Sequence, residues 1–223
     1  KGVPQALYTA YALSLVFAFT LGESKSKKLE VPTPATYEEA LSGPHATELM
    51  IAMVKEYTGV ERAGTFQRVL LESLTKGMNL VGSKWVYRVK WGPNGEPVFK
   101  ARIVAKGFSQ KEGVDYFETW APTARLSTAR TILHLAAAQD LEIEAMDVDQ
   151  AFLQGDLQEA IYMRPPPACT GMDTDKNVIW ELKKPLYGLK QAPRQWHEKL
   201  KGVLTDLGFS RSLADPSLFI KKS

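Results

Sequence analysis

Cysteine occurs once in these 223 residues, as Cys169, which excludes an internal disulfide and a four-thiolate zinc site and suits a reducing compartment. The three histidines, His45, His134 and His197, lie far apart without metal-ligand spacing, so each reads as packing or surface. Internal repeats, a Walker-type phosphate loop and a Gly-x-Ser-x-Gly elbow are all absent, which removes the phosphate cradle of P-loop enzymes and the nucleophile turn of α/β-hydrolases. Gly92-Pro-Asn-Gly95 is a hairpin turn rather than a phosphate cradle. Negative charge is almost missing from one window: between Lys76 and Lys111 eight cationic side chains face Glu96 alone, although the whole chain carries only +3. Trp85, Tyr87, Trp91, Phe99 and Phe108 are interleaved with those cations. That mixture suits a surface that meets phosphates and stacks on bases or sugars, and a solvated sheet face would look the same.

With 44% hydrophobic and 24% charged residues, the chain is long enough for one large domain or two small ones around a real core. Gly2 to Gly22 carries no charge and includes the apolar run Ala12 to Leu21. Its length permits a membrane span, but Pro4, Gln5, Thr9 and Ser14 dilute it, and no small-residue cleavage site precedes the polar stretch Glu23 to Lys28. A buried helix or the end of an upstream segment is the preferred expectation, with a membrane anchor as the alternative. A first residue of Lys points to an excerpt from a longer chain.

Past Pro32-Thr-Pro34, Thr36 caps an expected helix with Glu39 three residues on, running to about Tyr57 and packing on the basic sheet. Residues 84–91 and 98–105 alternate on either side of the turn Pro93-Asn-Gly95, which predicts a hairpin. Lys100, Arg102 and Val104 then share a cationic face, with Phe99, Ala101 and Ile103 on an apolar back. A helix is expected over Ser127 to Gln139, capped at Ser127, followed by a strand ending near Asp147. Short strands are expected at Ile161 to Met163 and Val178 to Leu182, separated by the exposed Pro165-Pro-Pro167. Ala192-Pro193 opens a helix with an apolar stripe of Trp196, Leu200, Val203, Leu204 and Leu207, stopped at Gly208. A last strand begins at Ser217, and an unpaired edge is expected there.

In Ala145-Met-Asp-Val-Asp-Gln-Ala-Phe-Leu-Gln-Gly155 an acidic residue closes an apolar alternation and an aromatic follows five positions later. Asp147 is placed where a rigid carboxylate could grip Mg²⁺ for nucleotidyl transfer, although one Asp at a strand end is commonly a turn residue. Phe152 would lie over whatever Asp147 binds.

Six blocks in order carry a resemblance: Thr36 to His45, Lys84-Trp-Val-Tyr87, Phe99 to Gln110, Phe117-Glu-Thr-Trp-Ala-Pro122, Met146 to Leu153, and Leu186-Tyr-Gly-Leu-Lys-Gln-Ala-Pro-Arg194. Together, over about residues 36 to 223, the chain resembles the reverse transcriptase domain of copia-type retrotransposon polyproteins. The resemblance implies an α+β fold, a right-hand polymerase with fingers and a partial palm, mostly antiparallel sheet packed on helices. It divides the chain into residues 1–35 outside the core, a fingers-like region at 36–126 and a partial palm at 127–223. Carried over by position, Asp147 is the catalytic, metal-binding aspartate and the Val148 carbonyl a second ligand to the same ion. Phe152 is the sugar gate. Lys100 and Arg102 belong to the hairpin that meets the triphosphate, with either as the contact, and Tyr187 and Gly188 to the loop beside the nucleotide. Lys84, Arg88, Lys106, Lys190 and Arg194 are the candidate nucleic-acid contacts.

The family's Tyr-x-Asp-Asp turn does not occur in this sequence, and Asp215, in Ala214-Asp-Pro216, is a turn residue rather than a substitute. The implied reaction is RNA-directed DNA synthesis with two Mg²⁺ in the complete parent, and the chain alone is expected to be inactive. The implied partners are an RNA or DNA template with primer, deoxynucleoside triphosphates and the rest of the polyprotein (remaining palm, thumb, ribonuclease H, integrase), in a cytoplasmic particle or the nucleus. The alternative is a degenerate or co-opted remnant that binds nucleic acid without catalysis.

Overall fold

The computed structural model describes residues 7–11, 31–167 and 175–222. The apolar run 12–21 and Cys169 lie outside them. In chain order the elements are β1 (Leu7–Tyr11), α1 (Tyr37–Ser42), α2 (Ala46–Arg62), β2 (Phe66–Leu70), β3 (Leu80–Val81), β4 (Ser83–Trp91), β5 (Pro97–Ala105), α3 (Leu126–Gln139), β6 (Ile161–Met163), β7 (Val178–Leu182), α4 (Ala192–Asp206), β8 (Ser210–Arg211) and β9 (Leu218–Lys222). They form an α+β architecture with three sheets, ordered β4-β5, β2-β7-β6-β3 and β1-β9-β8. Every ladder is antiparallel except β3 with β6.

The expected cap at Thr36 is present. Its hydroxyl accepts from the Glu39 N–H at 3.2 Å, which satisfies one orphan donor of the first turn, while the Glu39 carboxylate reaches back to accept from the N–H of Ala35, the residue before the cap, at 2.8 Å. The single helix expected to Tyr57 is instead two. Gly43, with ψ 169°, precedes Pro44, whose ring disfavours a helical residue before it, and α2 starts afresh at Ala46.

Leu49, Met53, Tyr57 and Val60 recur at helical spacing and are the buried residues of α2. They join Trp85, Tyr87, Ala101 and Ile103, the apolar back of the β4-β5 hairpin, in one core. The Tyr87 hydroxyl donates to Met53 Sδ at 3.3 Å, which satisfies a polar atom inside that layer. Behind it Trp180 of β7 is fully buried, stacked on Phe66 of β2 at 3.8 Å with planes 7° apart, while Tyr57 approaches at 6.1 Å.

The expected hairpin pairs in register from Ser83 with Ala105 to Trp91 with Pro97. Its turn closes through a Gly95 N–H to Gly92 carbonyl bond of 3.0 Å, with Gly95 at φ +82°, where a side chain would be strained.

Other expectations fail. Residues 141–148 form no strand: the segment has no ladder partner among the described residues, and both its alternating faces are open to water. Helix α3 starts at Leu126 without a side-chain cap, and Ser127 does not cap it. The Ser127 carbonyl instead accepts from the Thr131 hydroxyl at 2.9 Å. Finally β9 is not an edge, since β1 pairs with one side and β8 with the other. β1 also makes residues 7–11 a strand rather than part of a buried helix, and no described helix is long and apolar enough to cross a membrane. The apolar stripe of α4 is only partly covered, with Val203 and Leu207 exposed.

Candidate functional site

Alternation along the hairpin places its cations on one side. Lys84, Arg88 and Lys90 of β4 and Lys100 and Arg102 of β5 are exposed, while Trp85, Tyr87, Ala101 and Ile103 are buried. Arg88 stands directly opposite Lys100 in the ladder. Like charges in that position cost a few tenths of a kcal/mol to ~1 kcal/mol. Among the described residues no ion pair relieves them. A sheet face with unneutralised positive charge suits an anionic partner.

The base of the hairpin is locked to a loop eighty residues on. The Ala105 N–H donates to the Tyr187 carbonyl at 2.8 Å. Gly188 has φ +90°, and a β-carbon there would stand 2.1 Å from the Ala105 carbonyl oxygen; one on Gly107 would stand 2.1 Å from the Gly188 oxygen. Both positions therefore require glycine.

A buried amide network continues the tie. Gln110 Nε2 donates to Gln191 Oε1 at 3.0 Å, its own Oε1 accepts from the Lys190 N–H at 2.8 Å, and Gln191 Nε2 donates to the Asp115 carbonyl at 2.7 Å. The Asp115 carboxylate accepts from Asn79 Nδ2 at 2.6 Å and from the Lys111 N–H at 2.7 Å. Such a fully satisfied network resists sliding of the segments it joins.

This lock brings Arg102, Tyr187 and Phe152 together. The Arg102 guanidinium lies 4.5 Å from the Tyr187 ring centroid, and Phe152 meets the same ring edge-on at 4.8 Å. Phe152 sits on a short 3₁₀ helix, Ala151–Gln154, entered through Gln150 at φ +49°. Beside Arg102 and Tyr187 a cleft of about 640 Å³ opens between β5 and α2, bordered by Lys100, Arg102, Asp149, Gln150 and Tyr187, while Phe152 is not among its lining residues. Its volume is in the range of small-ligand sites.

Glu56 of α2 also lines the cleft and accepts from the Ile103 N–H at 3.3 Å, covering the free edge of β5. Burial raises its carboxyl above the ordinary glutamate range, opposed by the Ile103 N–H and the charge of Arg102. On α4, burial lowers the His197 imidazole below its ordinary range; Glu198 opposes this, and Lys201, Arg211 and Arg194 add to it.

The other expected site residues divide. Lys84 and Arg88 join the cationic face, and Lys106 lies at its base with its N–H on the Gly82 carbonyl at 2.7 Å. Lys190 turns to Tyr116, with Nζ 2.9 Å from the hydroxyl and 4.5 Å from the ring centroid. Arg194 is half-buried in the first turn of α4.

Asp147 and Val148 lie on the exposed 141–148 segment and do not line the cleft; of this acidic stretch it is Asp149 that borders it. A carboxylate and a backbone carbonyl are hard oxygen donors of the kind Mg²⁺ takes. No group of three His, Cys, Asp or Glu side chains able to hold a metal occurs among the described residues.

Asp149, Gln150 and Glu56 were not anticipated from sequence. Asp149 repeats the acidic alternation two places beyond Asp147, which is a signal; Gln150 and Glu56 take their roles from tertiary contacts alone.

Residues 66–223 match the profile of the family described as reverse transcriptase (RNA-dependent DNA polymerase). The chain belongs to that family. Among relatives of this copia-type reverse transcriptase domain, the retrovirus-related Pol polyprotein from transposon TNT 1-94 of Nicotiana tabacum is 40% identical over 190 residues, covering 85% of the chain and 14% of the relative. The Pol polyprotein from transposon RE1 of Arabidopsis thaliana is 40% identical over 144 residues, 64% of the chain and 10% of the relative. The transposon Ty1-ER2 Gag-Pol polyprotein of Saccharomyces cerevisiae is 37% identical over 110 residues, 47% of the chain and 6% of the relative. The chain thus spans about a seventh or less of the length of these polyproteins. No solved structure matches it.

Proposed function

We propose that this domain, within its longer polyprotein, carries out RNA-directed DNA synthesis: attack of a primer 3′-hydroxyl on the α-phosphate of a deoxynucleoside triphosphate, along an RNA or DNA template. The observation that carries this reading is the meeting of Arg102 and Tyr187 at one cleft, with Phe152 packed edge-on against Tyr187, from three segments far apart in sequence. Residues 36–126 then act as fingers and 127–223 as part of the palm of a right-hand polymerase. The cationic face at Lys84 and Arg88, with Lys106 at its base, follows the nucleic-acid backbone, and Lys190 and Arg194 add positive charge near the α4 end.

Lys100 and Arg102 face the phosphates of the nucleotide, where fixed positive charge stabilises the negative charge that grows on the leaving group. Phe152, held edge-on against Tyr187, excludes a ribose 2′-hydroxyl by bulk, while Gly188 keeps the loop close to the substrate. Asp147 and the Val148 carbonyl would hold Mg²⁺. Two such ions, when bound, supply activation of the attacking oxygen and neutralisation of the pyrophosphate. The remaining carboxylates come from elsewhere in the polyprotein, since Tyr-x-Asp-Asp does not occur in these 223 residues, and the chain alone extends no primer.

The cationic face forms without any contribution from residues 141–148, which favours a second reading: a remnant that binds nucleic acid without chemistry. Primer extension by the full-length polyprotein separates the two. Asp147→Ala is expected to lower the rate by about 10³-fold or more and Phe152→Ala to admit ribonucleotides. Undiminished synthesis by Asp147→Ala would overturn the proposed role of that residue, and a wild-type polyprotein that binds template but extends nothing would support the remnant.

A further inference from the structure

Helix α2 lies ahead of residues 66–223, so the family match assigns none of its side chains. It nevertheless forms a wall of the cleft. Lys55 and Arg62, seven residues apart and so two turns along one side of the helix, both border the cavity across from Lys100 and Arg102. Neither Lys55 nor Arg62 has an ion-pair partner among the described residues. An arginine in the last turn of a helix also complements the helix dipole, which accounts for Arg62 but asks nothing of a lysine in mid-helix.

The wall is held close to the acidic segment. A β-carbon on Gly59 would stand 2.7 Å from Gln150 Nε2, so the Gln150 side chain of the turn after Asp149 lies directly against α2. Gln150 is itself in the left-handed region, one of two such non-glycine residues among those described, an arrangement that costs about 1 kcal/mol or more and persists where surrounding contacts enforce it. Four cations from two walls therefore converge on one concavity, whereas the charges of a solvated helix face diverge into water. The carboxylates bordering it are Glu56, engaged with the Ile103 N–H, and Asp149.

We propose that Lys55 and Arg62 bind the polyphosphate of the incoming nucleotide from the side opposite Lys100 and Arg102, making α2 a second phosphate-binding wall. This rests on the reading of the cleft as the nucleotide site. The test is calorimetric titration of the 223-residue chain with inorganic tripolyphosphate, without divalent cation, at two salt concentrations. Lys55→Gln and Arg62→Gln are each expected to weaken binding about 3- to 10-fold, and the double variant to flatten the dependence of log affinity on log salt. Arg62→Lys should retain most of the affinity, and Lys76→Gln, remote from the cleft, all of it. If Arg102→Gln weakens binding while both α2 variants bind as wild type, the α2 proposal is overturned and the nucleotide reading of the cleft stands. If the wild type takes up no tripolyphosphate, or Arg102→Gln and the α2 variants all match it, both fall together.

Discussion

β5 and the first part of residues 141–148, Leu141 to Ala145, carry the same two-residue alternation of apolar and polar side chains, yet one is a strand and the other is not. In β5 Ile103 is fully buried, whereas in the other segment Ile143 is 63% and Met146 88% exposed. β5 has β4 hydrogen-bonded along one edge, Glu56 covering an N–H on the other, and α2 packed on its back. Residues 141–148 have none of these among the described residues. Alternation thus creates a candidate face, and a ladder partner with an apolar cover decides whether it becomes a strand.

The comparison breaks most sharply where β5 is tied to the Tyr187 loop. Gly188→Ala forces a β-carbon onto the Ala105 carbonyl in a backbone region hostile to side chains, and strain plus overpacking should cost about 4 kcal/mol, seen as a lower urea midpoint. Next comes the paired substitution that contrasts the two segments themselves. Ile103→Ala should cost about 3 kcal/mol by cavity formation, while Ile143→Ala should stay within about 0.5 kcal/mol of wild type in the same unfolding experiment. An equal cost at both positions would mean that residues 141–148 are packed in solution.

The smallest effect concerns the cover on β5's free edge. Because the folded carboxyl of Glu56 is raised above its ordinary value, its stabilising contribution is complete below the unfolded pKa near 4.5 and is lost as pH rises through the folded pKa. Glu56→Gln keeps an acceptor for the Ile103 N–H without that loss. The variant should therefore gain up to about 1 kcal/mol over wild type at pH 7, with the difference shrinking as pH falls towards 4. A gap that widens on acidification would reverse the assigned sign.

The hairpin was legible because Lys100, Arg102 and their apolar alternates needed only a turn and each other. Its cationic side followed from the period of two, and α4 was legible from Pro193 and Gly208. The strand ending at Asp147 was not legible, because its absence reflects a missing partner rather than anything local. The break at Gly43-Pro44 was written in the residues and passed over in favour of the longer amphipathic run. At the site, Arg102, Tyr187 and Phe152 were each anticipated, but their stacking depends on two glycines whose backbones meet across some eighty residues. Asp149, Gln150 and the α2 wall depend on how a helix leans on a turn, and period analysis is blind to that.

The abutting glycines at 107 and 188 set a boundary on motion. With two carbonyl oxygens lodged where β-carbons would be, the ribbon bearing Arg102 and the loop bearing Tyr187 cannot shear past one another. Charge and ring travel as one block, and any opening of the hand to admit substrate must pivot outside this clasp.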